Sequence, residues 1–253
     1  MTIIATLHQP QFVQRTLNLK ALVTQKSHLL LGPRQTGKSS LIRETLAGTK
    51  VYNLLETETY LALTQSPALI RQELSAADRW IVIDEIQRIP ELLNEVQLII
   101  EEKRVHFILT GSSARKLRRG GVNLLGERAR TKHLHPLTSH ELGTQFDLGR
   151  CMQRQLLPSI YFSDDPAADL RAYVGSYLLE EVVAEGATRN VPAFCRFLKI
   201  AAMCNSTVIN FTNLANDVQV PRTTVYEYFE ILKDTLILQE LPAYLGTRKR
   251  RGL

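Results

Sequence analysis

Leu29-Leu30-Leu31-Gly32-Pro33-Arg34-Gln35-Thr36-Gly37-Lys38-Ser39-Ser40 runs from an apolar stretch through a glycine loop into a helical pattern. Gly32, Gly37, Lys38 and Ser39 fit the spacing G-x-x-x-x-G-K-[ST] of a phosphate-binding P-loop. Glycine tolerates positive φ and lets the backbone come close to a ligand. The loop Gly32, Pro33, Arg34, Gln35, Thr36, Gly37, Lys38, Ser39, Ser40 is therefore expected to cradle phosphates with its N–H groups, at the positive end of the helix that follows. Lys38 would bring a point charge to the β- and γ-phosphates, and Ser39 a hydroxyl to Mg2+. The context supports this, because a strand-like run (Ser27 to Leu31) precedes the loop and an amphipathic pattern (Ser39 to Leu46) follows it.

Further along, Trp80-Ile81-Val82-Ile83-Asp84-Glu85 is an apolar run that ends in two carboxylates. Such a run reads as a strand buried on both faces, as in parallel sheets. Ligands of open α/β sheets bind at the carboxyl ends of strands. The pattern looks like a Walker B motif: Asp84 would hold Mg2+ through water, and Glu85 would polarise an attacking water as general base.

The remaining composition sets bounds. A chain of 253 residues has room for one large domain or two small ones. With 44% hydrophobic and 22% charged residues it reads as an ordinary soluble globular protein. No apolar run approaches the ~20 residues that span a bilayer, so no membrane partner is expected. Met1-Thr2-Ile3-Ile4-Ala5 lacks the basic and long apolar regions of a secretory signal. Cys151, Cys195 and Cys204 form no C-x-x-C pair, which points away from a disulfide framework or zinc site and toward a reducing cytoplasm. Charge is uneven. Arg115, Lys116, Arg118, Arg119, Arg128, Arg130 and Lys132 face only Glu127 in that stretch, which equals the whole net charge of +6. Arg248-Lys249-Arg250-Arg251 forms a second basic cluster. Either is a solvated loop or a phosphate or nucleic-acid contact.

Taken in order, residues 9–20 lead into strand 27–31 and helix 38–47. A second strand is expected at Lys50–Leu55, and helix over Glu56–Ala77 with a break at Ser66-Pro67. The acidic strand covers about 80–84. Pro90 opens a helix with Leu92, Leu93, Val96, Ile99 and Ile100 at helical spacing. Val105–Thr110 is a fourth strand and His133–Leu137 a fifth. Strands alternating with helices predict an α/β fold with a parallel sheet covered by helices. The fourth strand ends in Thr110-Gly111-Ser112-Ser113, where a polar side chain could orient the attacking water; Thr110 is the first choice and Ser112 the second. Arg115, Arg128 and Arg130 are candidates for the transition-state phosphate, although a neighbouring subunit often supplies that arginine.

Four stretches together carry a resemblance: Gly32–Ser39, Ile81-Val82-Ile83-Asp84-Glu85-Ile86-Gln87, Leu109–Arg115 and Leu134-His135-Pro136-Leu137-Thr138. In order and character they resemble prokaryotic AAA+-type ATPases in which the ATPase core precedes a C-terminal domain of unknown function. The resemblance implies an ASCE-type P-loop core, ATP with Mg2+, and a general-base glutamate at Glu85. Members of that family continue well past the position of Leu253, so this chain is expected to be a truncated product or fragment.

The sequence thus divides into an ATPase core over 1–145, a helical region over 146–205 and a winged-helix-like module over 206–253. In the helical region Leu170, Tyr173, Val174, Tyr177, Leu178, Val182 and Val183 recur at helical spacing, and Glu180-Glu181 reads as a solvated face. In the last module Phe211–Val218 and Arg222–Leu232 read as two helices about the turn Gln219-Val220-Pro221, and Thr235–Leu241 as a wing strand. Pro221 suits a first helical position, while Thr224 and Glu227 could instead form a capping box. The second helix carries Arg222, Glu227, Glu230, Lys233 and Asp234, a net charge of −1, which opposes DNA phosphate. The expected function is Mg2+-dependent ATP binding and hydrolysis coupled to motion of the C-terminal part, in a chain that could act as a homo-oligomer. The alternatives are a nucleic-acid-binding regulator switched by ATP, and an ATP-binding protein without turnover. A nucleic acid or a protein would then be the partner of the last module.

Overall fold

The computed structural model describes residues 12–113, 117, 125–178 and 190–242. Arg115, Lys116, Glu180 to Val183 and the basic run 248–251 lie outside the described residues. Contacts divide the chain into two compact units, Met1–Arg189 and Asn190–Leu253.

The first unit is built on a five-stranded parallel sheet. Its strands are β1 (Ser27–Leu31), β2 (Lys50–Asn53), β3 (Trp80–Asp84), β4 (His106–Gly111) and β5 (Ala129–His133), in the order β2-β3-β4-β1-β5. Helices α1 (Leu19–Gln25), α2 (Lys38–Thr45), α3 (Thr57–Gln65), α4 (Leu69–Gln72) and α5 (Leu92–Lys103) connect or flank them. Leu30 of β1, Val82 of β3 and Ile108 of β4 form a core with Leu19 and Val23 of α1 and Leu41 and Ile42 of α2. Period-two alternation sends Leu29, Leu31, Ile81, Ile83, Phe107 and Leu109, also buried, to the other face. Both faces are therefore apolar, which is why the three central strands read as unbroken hydrophobic runs. The helical expectation over 56–77 resolves into α3 and α4, divided at Ser66-Pro67 as the proline requires.

The fifth strand departs from its expected place. It pairs through Ala129–His133, with Leu31 opposite His133, whereas the sequence pattern puts it at 133–137. β5 is an edge strand, and edges are kept from pairing further by charged residues such as Arg130 and Lys132. Its polar sequence hides it. The apolar Leu134 and Leu137 belong to the exit segment instead, where Leu134 N–H donates to Leu31 O at 2.7 Å and Leu137 N–H to Leu156 O at 2.8 Å. Short helices follow: α6 (Ser139–Leu142), α7 (Leu148–Arg154), α8 (Pro158–Tyr161) and α9 (Pro166–Ala172), the last running into a π-turn over Tyr173–Leu178. Pro158 and Pro166 each stand in a helix's first turn, where the missing N–H costs nothing.

The second unit holds α10 (Val191–Met203), α11 (Phe211–Val218) and α12 (Arg222–Asp234). By its contacts α10, which the sequence pattern groups with the middle helical region, packs on α11 and α12. An aromatic core joins them: Phe194 meets Tyr228 edge-on at 5.0 Å, and Phe197 and Phe211 meet Phe229 edge-on at 5.0 and 5.6 Å. Asn210 caps α11, Gln219 turns left-handed at its end, and Pro221 stands just ahead of α12. No strand forms over Thr235–Leu241 among the described residues, so the expected wing is absent there. The chain folds back instead. Leu236 takes φ 63°, and the N–H groups of Ile237 and Leu238 both donate to Leu232 O, closing the end of α12.

One backbone contact sets the geometry of the glycine loop. A Cβ on Gly32 would stand 2.4 Å from Leu134 O. Both groups are backbone and neither can rotate away. Gly32→Ala is expected to lower unfolding stability by about 1–3 kcal/mol, the cost of overpacking, as read from a urea titration.

Candidate active site

The carboxyl ends of β1, β4 and β3 lie side by side, and β4 separates the other two. The glycine loop leaves β1, the carboxylates of Asp84 and Glu85 leave β3, and Thr110 and Ser112 come up between them from the end of β4. The sheet order thus brings three separate stretches of sequence to one edge.

Gly37 holds φ 87° and ends the loop, and α2 starts at Lys38 with no side-chain cap and no acid in its first turn. An uncapped helix start of this kind is suited to an anion. Thr36 Oγ1 donates to Pro33 O at 2.8 Å and braces the loop from within. Lys38 is buried, and its ammonium donates to Gly32 O at 2.7 Å and Pro33 O at 3.0 Å. Burial pushes its pKa down, with help from the charge of Arg34, against the upward pull of Glu85 and Asp84. Gln35 takes φ 62° and accepts from Ser159 Oγ of α8 at 2.8 Å. Arg34 and Gln35 are exposed on the loop's rim, and Ser40 is half-buried in the first turn of α2.

Ser39 Oγ donates to Asp84 Oδ2 at 2.7 Å, which joins the loop to the acidic strand. Thr110 Oγ1 donates to Asp84 Oδ1 and accepts from Glu85 N–H at 3.0 Å. Glu85 has φ 63°, a rare conformation for a side chain of its size. Its carboxylate accepts from Gln87 Nε2, and Ser112 Oγ lies 3.4 Å away. Gln87 Nε2 also reaches Ser112 Oγ at 3.1 Å, while Gln87 Oε1 is buried without a partner.

The site therefore brings together Lys38, Ser39, Asp84, Glu85 and Thr110, and orders the last differently from expectation. The Thr110 hydroxyl is fully buried, its proton given to Asp84 and a lone pair to the Glu85 N–H. It holds the acids in place. Ser112, the second choice, is the hydroxyl beside the Glu85 carboxylate. Arg128 pairs with Glu101 at 2.6 Å, and Arg130 sits opposite His28, toward the amino end of β1 and away from the loop. Arg115 is outside the described residues.

Sequence reasoning missed two residues. Gln87 follows the acidic pair by two positions, and its amide is a signal that the pattern Asp-Glu-Ile-Gln contained. Arg15 gave none, because a sequence separation of 126 from Glu141 hides their ion pair at 3.0 Å. Glu141 also closes a capping box with Thr138 at the start of α6. Burial raises the Glu141 carboxyl, but the bonds from Arg15, Thr16 N–H and Thr138 N–H and the Arg15 charge outweigh it and hold the carboxyl below its ordinary 4.5.

Two outcomes follow from this geometry. Thr110→Val leaves a buried carboxylate oxygen and a buried N–H unpaired, and is expected to cost about 1–3 kcal/mol in urea unfolding of the unliganded protein. Because the folded pKa of Glu141 is depressed, its contribution is complete above the unfolded value and drains away as pH falls toward the folded one. The urea midpoint should fall as pH drops below 4.5, and Glu141→Gln should flatten that fall.

Residues 24–143 match the AAA domain family, and residues 154–252 match a domain of unknown function. Uncharacterized proteins of Mycobacterium tuberculosis and Mycobacterium bovis are each 27% identical over 234 residues, covering 88% of this chain and 52% of theirs. The chain spans about half the length of these curated relatives. Among solved structures, the ORC2 protein of Aeropyrum pernix in its ADP form superposes with a TM-score of 0.37 at 15% identity, over 82% of this chain and 79% of that one. Drosophila ORC bound to DNA gives a TM-score of 0.29 at 17% identity, over 85% and 64%.

Proposed function

We infer that this chain, which belongs to the AAA+-type P-loop ATPase family with a C-terminal domain of unknown function, binds ATP with Mg2+ and hydrolyses it. The observation that carries this reading is the 2.7 Å bond between Ser39 and Asp84, with Glu85 one residue on. A hydroxyl and a carboxylate from two separate segments meet at the mouth of a loop whose helix N-terminus lacks a cap of its own.

The donors suit the ion. Mg2+ takes oxygen ligands, keeps several waters, and is usually held by one or two carboxylates plus substrate phosphates. Ser39 and Asp84 would hold it, and when bound it neutralises charge on the β- and γ-phosphate oxygens. The chain's own residues do the rest. Lys38 leaves the carbonyls of Gly32 and Pro33 for the phosphate oxygens; its buried ammonium gains a multiply charged partner. The N–H groups of the loop and the first turn of α2 hold the phosphates in line. Glu85 takes a proton from water as the water oxygen bonds to the γ-phosphorus, and the bond to the bridging oxygen breaks to leave ADP and phosphate. Thr110 keeps Asp84 and the Glu85 backbone fixed, and Gln87 and Ser112 aim the Glu85 carboxylate.

Turnover is coupled, on this reading, to motion of the C-terminal helices. Lys233 on α12 is already paired with Glu230 and Glu240, both at 2.8 Å, so the helix offers little positive charge to DNA. A protein partner suits that surface better.

Steady-state ATPase and equilibrium binding, each with and without DNA, test the proposal. Lys38→Ala is expected to abolish ATP binding, and Glu85→Gln to keep binding while turnover falls by about 100-fold or more. Tight ATP binding by Lys38→Ala, or unchanged turnover by Glu85→Gln, would overturn it. Specific DNA binding with a steep salt dependence would favour a nucleic-acid regulator instead.

A further inference from the structure

Arg15 precedes α1, on the other side of β1 from the glycine loop in sequence, and it touches that loop directly. The side chain of Arg15 is 5% exposed and that of Glu141 is 3% exposed, so the charged groups are largely covered although both residues as wholes are half-buried. The guanidinium spends its donors on fixed oxygens: Nε on Glu141 at 3.0 Å, Nη1 on Thr36 O at 2.8 Å, and Nη2 on His135 O at 2.5 Å and Pro136 O at 3.4 Å. Glu141 in turn accepts from Thr16 N–H at 2.9 Å, Thr16 Oγ1 at 3.2 Å and Thr138 N–H at 3.0 Å.

A buried ion pair is favourable only with good geometry and its remaining hydrogen bonds satisfied. For stability alone, apolar side chains would serve as well. The contact with Thr36 O gives this pair a different use. In a planar trans peptide the C=O and the N–H point in opposite directions. With Thr36 O turned toward Arg15, the Gly37 N–H is turned away from it, to the side of the loop where the nucleotide reading puts the phosphates. A cation on the carbonyl also polarises the peptide and makes its N–H the stronger donor. Gly37 alone does not fix this orientation, because glycine leaves the peptide free to turn.

We propose that Arg15 is a positioning residue for the phosphates of a bound nucleoside di- or triphosphate, setting the Thr36–Gly37 peptide so that the Gly37 N–H faces them. The proposal rests on the nucleotide reading above. Lysine keeps the charge opposite Glu141 but lacks the planar fork that reaches Thr36 and His135 together.

ADP affinity is measured for the wild type, Arg15→Lys and Glu141→Gln, each shown folded by its thermal midpoint. The expected result is that Arg15→Lys weakens ADP by about tenfold, the size of one charge-assisted hydrogen bond. Glu141→Gln keeps Arg15 on the carbonyls and should weaken ADP by less than about threefold. A purely structural ion pair would make the two variants equal, and that result overturns the proposal, as does ADP binding by Arg15→Lys within about threefold of wild type. If the wild type itself fails to bind ADP, the nucleotide reading falls and takes this inference with it. Amide exchange on the wild type covers a variant that does not fold: saturating ADP should slow exchange over residues 12–18 more than over α4, and equal protection of both overturns the proposal.

Discussion

A bare backbone at the end of β4 is the constraint on which the site depends. β1 and β3 are separated by one strand, about 10 Å at ordinary spacing, yet Ser39 and Asp84 meet at 2.7 Å. The chain leaving β1 must therefore pass close over the end of β4. Gly32 N–H donates to Gly111 O at 3.2 Å as it does so. A Cβ on Gly111 would stand 2.9 Å from Gln87 Oε1 and 3.3 Å from a methyl of Leu31. Glycine at 111 thus lets the loop, the end of β4 and the turn after β3 share one small volume. Gly32 plays the matching part on the other side, against Leu134 O.

How much of this the sequence disclosed follows from how each element is stabilised. β1 and β3 are buried on both faces, and their limits at 27–31 and 80–84 agree with the apolar runs. The helix Phe211–Val218 was equally legible, because Asn210 caps it and its buried Leu214, Ala215 and Val218 recur at helical spacing. β5 was misplaced because an edge strand with charged side chains has no hydrophobic signature, while the apolar residues just beyond it do. The wing failed for a related reason. Leu236, Ile237 and Leu238 form a β-like apolar run, but the backbone closes the end of α12 through Leu232 O. In the candidate site, residue types at fixed spacing singled out Gly32 to Ser40 and the acidic pair, and the fold brings Ser39 and Asp84 together. The roles of Thr110 and Ser112 depend on which hydroxyl faces which carboxylate, and that only three-dimensional contacts decide.

The two units differ in how they handle polar groups. Around α10, α11 and α12 the core is aromatic, its rings meeting edge-on or tilted, and the starts of α10 and α11 are capped by Asn190 and Asn210. The loop edge of the sheet departs from such local consistency. It holds Glu85 at positive φ, Gln87 Oε1 buried and unpaired, and Lys38 desolvated against two carbonyls. Each feature costs free energy, and sites of function are where such costs collect. The buried strands on either side, with Thr110 tying Asp84 to β4, are what keep the arrangement from relaxing.

These departures also bear on how a nucleotide would enter. The Lys38 ammonium satisfies the carbonyls of Gly32 and Pro33, so an arriving phosphate competes with protein hydrogen bonds and does not meet a bare charge. Ser39 likewise holds an oxygen of Asp84 that a metal would use. On the nucleotide reading, filling the site would be an exchange of partners in which the buried ammonium gains a countercharge. Exchange of this kind favours a multiply charged ligand over a neutral one, because only the former repays the desolvated ammonium. On the same reading Thr110 and Arg15 would hold the backbone still while Lys38 and Ser39 change partners, so that the cost of reorganisation would fall on two side chains and not on the loop.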